Sequence, residues 1–331
     1  MKAMATSFIA ADIGGTRARI GLMRNAFGGA QLQTLAYQDY ICANYSSLDL
    51  ILRDFMERHV DMPVTSCVLG CAGRVVNGRV VINNNLPWKV VRDELRDVLD
   101  LPDLSLINDF EALAYATKYI DPHTTRLLTP MAETPTGGAQ VVVGPGTGLG
   151  SAVLIPGDAQ WHVLATEAGQ IALAPGNSLE AEILAVFADT GEYVPYDRVL
   201  SGPGLLNVYG VLCALQSSPA VLKTPESVTT AALRGDNPQA RQALDVFCGL
   251  LGSFAGDLAM LYGASGGVWL AGGFLPKIYD FLVRSDFVAR FLNKGRMREF
   301  LETVPVRLIE HGQLGVIGAA TWYIERQGGV A

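Results

Sequence analysis

At 331 residues, half of them apolar and 17% charged, the chain is long for one core, and two lobes are expected. Its formal charge of -7 disfavours sequence-independent nucleic-acid binding, which needs clustered Lys and Arg, and favours a small-molecule partner. No apolar signal-peptide core follows Met1 and no apolar run reaches about 18 residues, so a cytoplasmic protein without a membrane partner is expected.

Residues 7 to 40 carry alternating strand signals, and Leu48 to Val60 has helical apolar spacing behind a capping Ser47. Val64 to Cys71 reads as a buried strand. Asn77-Gly78 predicts a hairpin between Arg74–Val76 and Arg79–Ile82, leading into the polar Asn83–Asn85. Leu104–Ile107 is a short strand ending at Asn108-Asp109, and Phe110 to Tyr119 continues as a helix. That junction is a natural domain crossing, with a small α/β lobe over 1–110 and a larger one over 111–313. After the loop at Pro130 to Gly138 a second hairpin begins, followed by helices around Leu179–Asp189, Leu205–Leu215 and Ala240–Tyr262. Gly267–Ala271 and Val306–Ile309 are further strands. The closing helical run, about 314–331, is expected to return to the first lobe. Cys42, Cys67, Cys71, Cys213 and Cys248 are scattered through apolar segments without disulfide density or a zinc ligand set, and read as reduced buried thiols.

Two stretches repeat one device of strand, Gly-Thr turn and strand: Phe8–Thr16 with Ala18–Leu22, and Val141–Thr147 with Gly150–Ile155. Glycine lets the backbone approach a ligand, while the Thr hydroxyl and turn N–H groups donate to phosphate oxygens. Gly14, Gly15 and Thr16, and Gly146, Thr147 and Gly148, are thus candidate phosphate residues. Asp12, two residues before the first glycine pair, either serves Mg²⁺ through its water shell or caps a plain hairpin. No P-loop occurs. Gly144–Gly150 departs from the dinucleotide fingerprint at Leu149, and a strand follows where that fingerprint needs a helix.

Asp109, where a strand passes into a helix, can accept a proton from a substrate hydroxyl attacking phosphorus; the plainer reading of Asn108-Asp109 is a helix N-cap. Glu167 and Gln170, separated by a small Ala-Gly turn, can converge on one polyhydroxylated ligand, whose hydroxyls each need a donor and an acceptor. Ser201–Gly204 and Ala271-Gly272-Gly273 let backbone pass close to a flat ligand such as adenine, and serve equally well as caps and turns.

In order along the chain, Ala11–Thr16, Asn85–Trp88, Ile107–Phe110, Gly144–Gly150, Glu167–Gln170, Arg198–Gly204 and Ala271–Gly273 make the sequence resemble bacterial glucokinases of the proteobacterial type, in the actin, Hsp70 and sugar-kinase superfamily. The resemblance implies an α/β fold of two ribonuclease-H-like (actin-like ATPase) lobes with a cleft between them. It also implies ATP-dependent phosphorylation of D-glucose to glucose 6-phosphate, the first step of glycolysis, with Mg²⁺. Asp109 is then the general base on the 6-hydroxyl, with Asn85, Asn108, Glu167, Gln170 and Asp197 on the sugar. Asp12 (metal-linked), Gly14, Gly15 and Thr16 serve the phosphates from one side, Gly146, Thr147 and Gly148 from the other, and Gly272 and Gly273 the nucleotide. A homodimer is implied as well.

The chain departs from that family where Ala168 stands for Gly, Gln170 for His, Asp197 for Glu and Arg17 for Asn. Gln keeps hydrogen bonding without imidazole rigidity, and Asp is one methylene shorter than Glu. Arg17 adds a cation beside the first turn, to grip phosphate or to pair with a surface acid. These departures leave open a kinase for another hexose or an N-acetylated sugar. A catalytically weak sugar-binding regulator is a further alternative, although a first strand at Ser7 leaves no room for an N-terminal helix-turn-helix.

Overall fold

The chain divides into two units, Met1–Ile120 with His311–Ala331, and Asp121–Glu310. The computed structural model describes residues 7–25, 32–61, 64–82, 86–121, 124–130, 137–157, 161–189, 191–309 and 312–328.

In unit 1, β1 (Ser7–Ile13) pairs antiparallel with β2 (Arg17–Asn25), which pairs with β3 (Leu32–Ile41). On the other side β1 pairs parallel with β4 (Ser66–Cys71), which pairs parallel with β8 (Asp103–Asn108). Side chains alternate across such a sheet, so each central strand feeds two cores. Ile9, Ala11 and Ile13 join Cys67, Leu69 and Cys71 on the face covered by α1 (Leu48–His59) and α2 (Arg92–Leu99), through Ile51, Leu52, Phe55, Leu95 and Leu99. Phe8, Ala10 and Val68 point the other way, onto α3 (Asp109–Thr117) and α11 (Leu314–Gly328), meeting Ala112, Val316, Ala319 and Ala320. The α3–α11 crossing is close: a Cβ on Gly318 would lie 1.8 Å from the Ala112 carbonyl oxygen. A small sheet of β5 (Arg74–Val76), β6 (Val80–Ile82) and β7 (Val90–Val91) completes the unit. Its first turn has Asn77 and Gly78 at φ 51° and 64°, the left-handed pair that a two-residue hairpin needs. Ser47 precedes α1, but its side chain makes no capping bond.

Unit 2 repeats the pairing pattern. Its sheet runs β12 (His162–Thr166), β11 (Leu149–Ile155), β10 (Gln140–Pro145), β13 (Gly267–Leu270), β14 (Val306–Leu308), with β9 (Arg126–Leu127) added at the far edge. As in unit 1, two antiparallel pairings are followed by two parallel ones. The helices are α4 (Ser178–Ala188), α5 (Gly202–Leu215), α6 (Pro225–Arg234), α7 (Pro238–Leu261), α8 (Tyr279–Arg284), α9 (Phe287–Leu292) and α10 (Arg298–Glu302). By length and composition α7 could cross a bilayer, yet 78% of its most apolar window is buried, which is the signature of a core helix. The α9 backbone presses on it at Gly252 and Gly256, where a Cβ would lie 2.1 Å and 2.7 Å from the Phe287 and Phe291 carbonyl oxygens. Glu180, buried at the start of α4, is held by Arg290 of α9 through both carboxylate oxygens at 2.6 and 2.9 Å. The sequence reading passed over α6, whose start carries a Thr224–Ser227 capping box and Pro225, and whose end carries Gly235 at φ 74°.

Candidate active site

The first Gly-Thr turn closes when the Gly14 N–H donates to the Arg17 carbonyl at 2.9 Å. Cys42 fixes it from outside, its N–H on the Thr16 carbonyl at 3.0 Å and its thiol on the Gly14 carbonyl at 3.4 Å. Asp12, 7% exposed, stands opposite Arg19 in the β1–β2 ladder, and Arg19 Nη1 donates to its Oδ2 at 2.9 Å. The same row continues onto Asp39 of β3, to which Arg17 Nη1 donates at 3.0 Å. Arg17 therefore pairs with a surface acid, the plainer of its two expected roles. On the other side of Asp12 lies the start of α11, where a Cβ on Gly315 would fall 2.7 Å from the Asp12 carboxyl carbon.

β1, β4 and β8 run parallel, so their carboxyl ends share one edge of the sheet, the usual place for ligands in such sheets. Ile13, Cys71 and Asn108 are neighbours across that edge, which separates the Asp12 and Asp109 strands by about 10 Å, two interstrand spacings. Cys71 lies between: burial pushes its thiol well up, with further push from the Asp109 and Asp12 charges. Asn108 caps α3, its Oδ1 accepting from the Phe110 and Glu111 N–H groups at 2.9 and 3.0 Å while Nδ2 donates to the Gly73 carbonyl at 2.8 Å. The capping reading thus holds for Asn108, and it aims the half-buried Asp109 from the first residue of the helix. Asn85 lies outside the described residues.

In unit 2 the second Gly-Thr tip is the three-residue turn between β10 and β11. Gly146 N–H donates to the Gly148 carbonyl at 2.7 Å, and the Gly146 carbonyl accepts from Gly202 at 2.8 Å. Gly272, at φ 118°, packs where a Cβ would meet the Pro145 carbonyl oxygen at 2.7 Å, so a side chain is excluded twice over; beside Gly273 nothing lies within 4 Å. Glu167 leads a single tight turn over Ala168–Gln170, closed by Gln170 N–H on the Glu167 carbonyl at 2.9 Å, with both long side chains exposed. Ala168 is buried in the core of the unit, which takes up the methyl that glycine lacks. Asp197 accepts from the Leu149 N–H at 2.5 Å.

Two sets result. Asp12, Gly14, Gly15, Thr16, Asn108 and Asp109 lie on one sheet edge of unit 1, and Gly146–Gly148, Glu167, Gln170, Asp197, Gly272 and Gly273 belong to unit 2. Sequence reasoning missed Arg19, Cys42, Gly315 and Leu149. Arg19 was recoverable: a hairpin centred on Gly14–Thr16 puts it across from Asp12. The other three rest on contacts between segments distant in sequence.

A family model described as Glucokinase matches residues 9–326. The chain belongs to the glucokinase family. It is 47% identical over 322 residues to a glucokinase-like protein of Xylella fastidiosa, covering 97% of this chain and 96% of that one. It is 34% identical over 325 residues to a glucokinase of Saccharophagus degradans, covering 95% and 97%. Among solved structures, a glucokinase from an Antarctic psychrotroph superposes with a TM-score of 0.83 at 32% identity, over 96% of this chain and 99% of that one.

Proposed function

We propose that the protein transfers the γ-phosphoryl group of ATP to the 6-hydroxyl of D-glucose. The family match over residues 9–326 supports the reaction, and the observation that carries the residue assignment is Asp109 at a strand end on the sheet edge that also holds Asp12 and the first Gly-Thr turn. Asp109, the first residue of α3, takes the proton from the attacking hydroxyl. Asn108 spends Oδ1 and one amide hydrogen on structure and offers its second hydrogen to a sugar hydroxyl. Asn85, Glu167, Gln170 and Asp197 complete the sugar contacts. The N–H groups of Gly14–Thr16 and Gly146–Gly148 hold phosphate oxygens, with Gly272 and Gly273 beside the nucleotide.

Asp12 is a single carboxylate already bonded to Arg19, and among the described residues no group of three His, Cys, Asp or Glu side chains is placed to hold a metal. That donor set fits Mg²⁺ brought in with the nucleotide and reached through water, rather than caged by protein. When bound, the ion neutralises charge on the phosphates. The shared strand order supports a ribonuclease-H-like fold for each unit. A cytoplasmic homodimer is part of the same reading, checked by light scattering and fractionation.

The test is coupled ADP release with glucose, ATP and Mg²⁺. D109N, which keeps the shape and loses the base, is expected to lower kcat by about 10² or more; normal turnover by D109N would sink the assignment. Because Asp197 is engaged with Leu149 and Gln170 replaces a histidine, a second reading is a kinase for another hexose or an N-acetylated sugar. A sugar panel compared by kcat/KM decides between them.

A further inference from the structure

We infer that Asp197 is a positioning residue for the nucleotide-side turn Gly146–Gly148 and ties that turn to the sugar-side loop through the Leu149 peptide. The inference rests on the kinase reading above. A turn with glycine at both ends has little conformational preference of its own and must be held from outside. The segment Asp197–Gly202 holds it at both ends: Asp197 Oδ1 takes the Leu149 N–H at 2.5 Å, and the Gly202 N–H donates to the Gly146 carbonyl at 2.8 Å. That segment is itself stiff. Ser201 Oγ donates to the Asp197 carbonyl at 2.8 Å and accepts from the Gly204 N–H at 3.0 Å, capping α5.

The other half of the Leu149 residue faces the sugar loop. A Cβ on Gly169 would lie 2.2 Å from the Leu149 carbonyl oxygen, so loop 167–170 and the start of β11 are in backbone contact and cannot shift independently. Ser151, two residues on, is bonded to Thr166 at the other side of Glu167, with the two hydroxyls 2.7 Å apart. Leu149 thus has the carboxylate on its N–H and Gly169 on its carbonyl. A hydrogen bond accepted by an ionised carboxylate is about twice as strong as a neutral one, which makes Asp197 the stronger of the two clasps on the turn.

The experiment measures KM for ATP and for glucose separately in wild type, D197A, D197L and D197N, each at saturation of the other substrate. Loss of the acceptor in D197A and in the similarly branched D197L is expected to raise KM for ATP about tenfold. D197N, whose neutral amide oxygen still accepts from Leu149 with about half the strength, should bring the rise down to about threefold. A rise in the glucose KM with an unchanged ATP KM, or a D197N as impaired toward ATP as D197A, overturns the inference. Hydrogen exchange at the Leu149 amide in wild type and D197N requires no acceptor-free variant to fold: protection supports the clasp, and exchange at the rate of an open amide overturns it. If the wild type phosphorylates no sugar, the kinase reading fails by itself, and the amide exchange with ATP titration by calorimetry still decides the clasp.

Discussion

Replacing Gly315 with alanine puts a methyl group against the Asp12 carboxylate. The added Cβ would stand 2.7 Å from Cγ, 2.8 Å from Oδ2 and 2.9 Å from Cβ of Asp12. Ordinary contact begins near 3.4 Å, so one partner must yield by about 0.7 Å. Asp12 has little room: β1 is bonded to strands on both sides, and Arg19 holds Oδ2. Overpacking of this size costs roughly 1–3 kcal/mol, shared between a tilt of α11 and a displaced carboxylate. With Asp12 serving the nucleotide phosphates as proposed, a misplacement approaching 1 Å lowers the rate by about 10- to 100-fold. Steady-state kinetics of G315A should therefore show kcat/KM for ATP reduced in that range, with Mg²⁺ needed at higher concentration and glucose KM nearly unchanged. A melting temperature lowered by alanine while ATP and Mg²⁺ parameters stay at wild-type values would refute the reasoning, because Gly315 would then serve packing alone.

The adjacent glycines after β13 should separate by variant. G273A, with open space around it, is expected to melt within about 0.5 kcal/mol of wild type while KM for ATP rises; G272A, strained in φ and against Pro145, should lose stability as seen in denaturant titration. Glu111 supplies a pH test. Burial raises its carboxyl above the ordinary value, opposed by bonds from the Asn108 backbone and Trp322 and by the Arg326 charge. The folded state then binds this proton more tightly than the unfolded chain, so ionised Glu111 costs stability above its raised value and the cost vanishes as pH falls toward 4.5. E111Q should be more stable than wild type at pH 7, with the gap in thermal melts closing on acidification; a gap independent of pH would contradict this.

Legibility in the sequence tracked the range of the interaction. Asn77-Gly78 and the two Gly-Thr turns announce themselves because turn geometry is decided by adjacent residues, and α7 by an apolar pattern long enough to outweigh its glycines. The strand end at Asn108-Asp109 was equally readable, since capping chemistry is local. What stayed hidden was set by segments brought together only in the fold. Gly315 is an ordinary helix residue until Asp12 lies beneath it, and the shortness of Asp197 relative to glutamate acquires its meaning only when Leu149 is in reach. The short helices α8 to α10 lack a period long enough to register, and α6 was missed although its caps were present.

The layer that α11 adds to unit 1 sets an order of events during synthesis. Phe8, Ala10, Val68 and Ile107 leave the ribosome early, but Val316, Ala319, Ala320 and Trp322, which cover them, come only after the whole of unit 2 has been translated. At about 5–20 residues per second that wait lasts about 10 to 40 s. Unit 2 is continuous, whereas unit 1 spends that interval with this face of its sheet covered by α3 alone. Nascent chains arrested before Leu314 therefore lack the cover that α11 supplies, and Asp12 acquires its helix neighbour among the last contacts made.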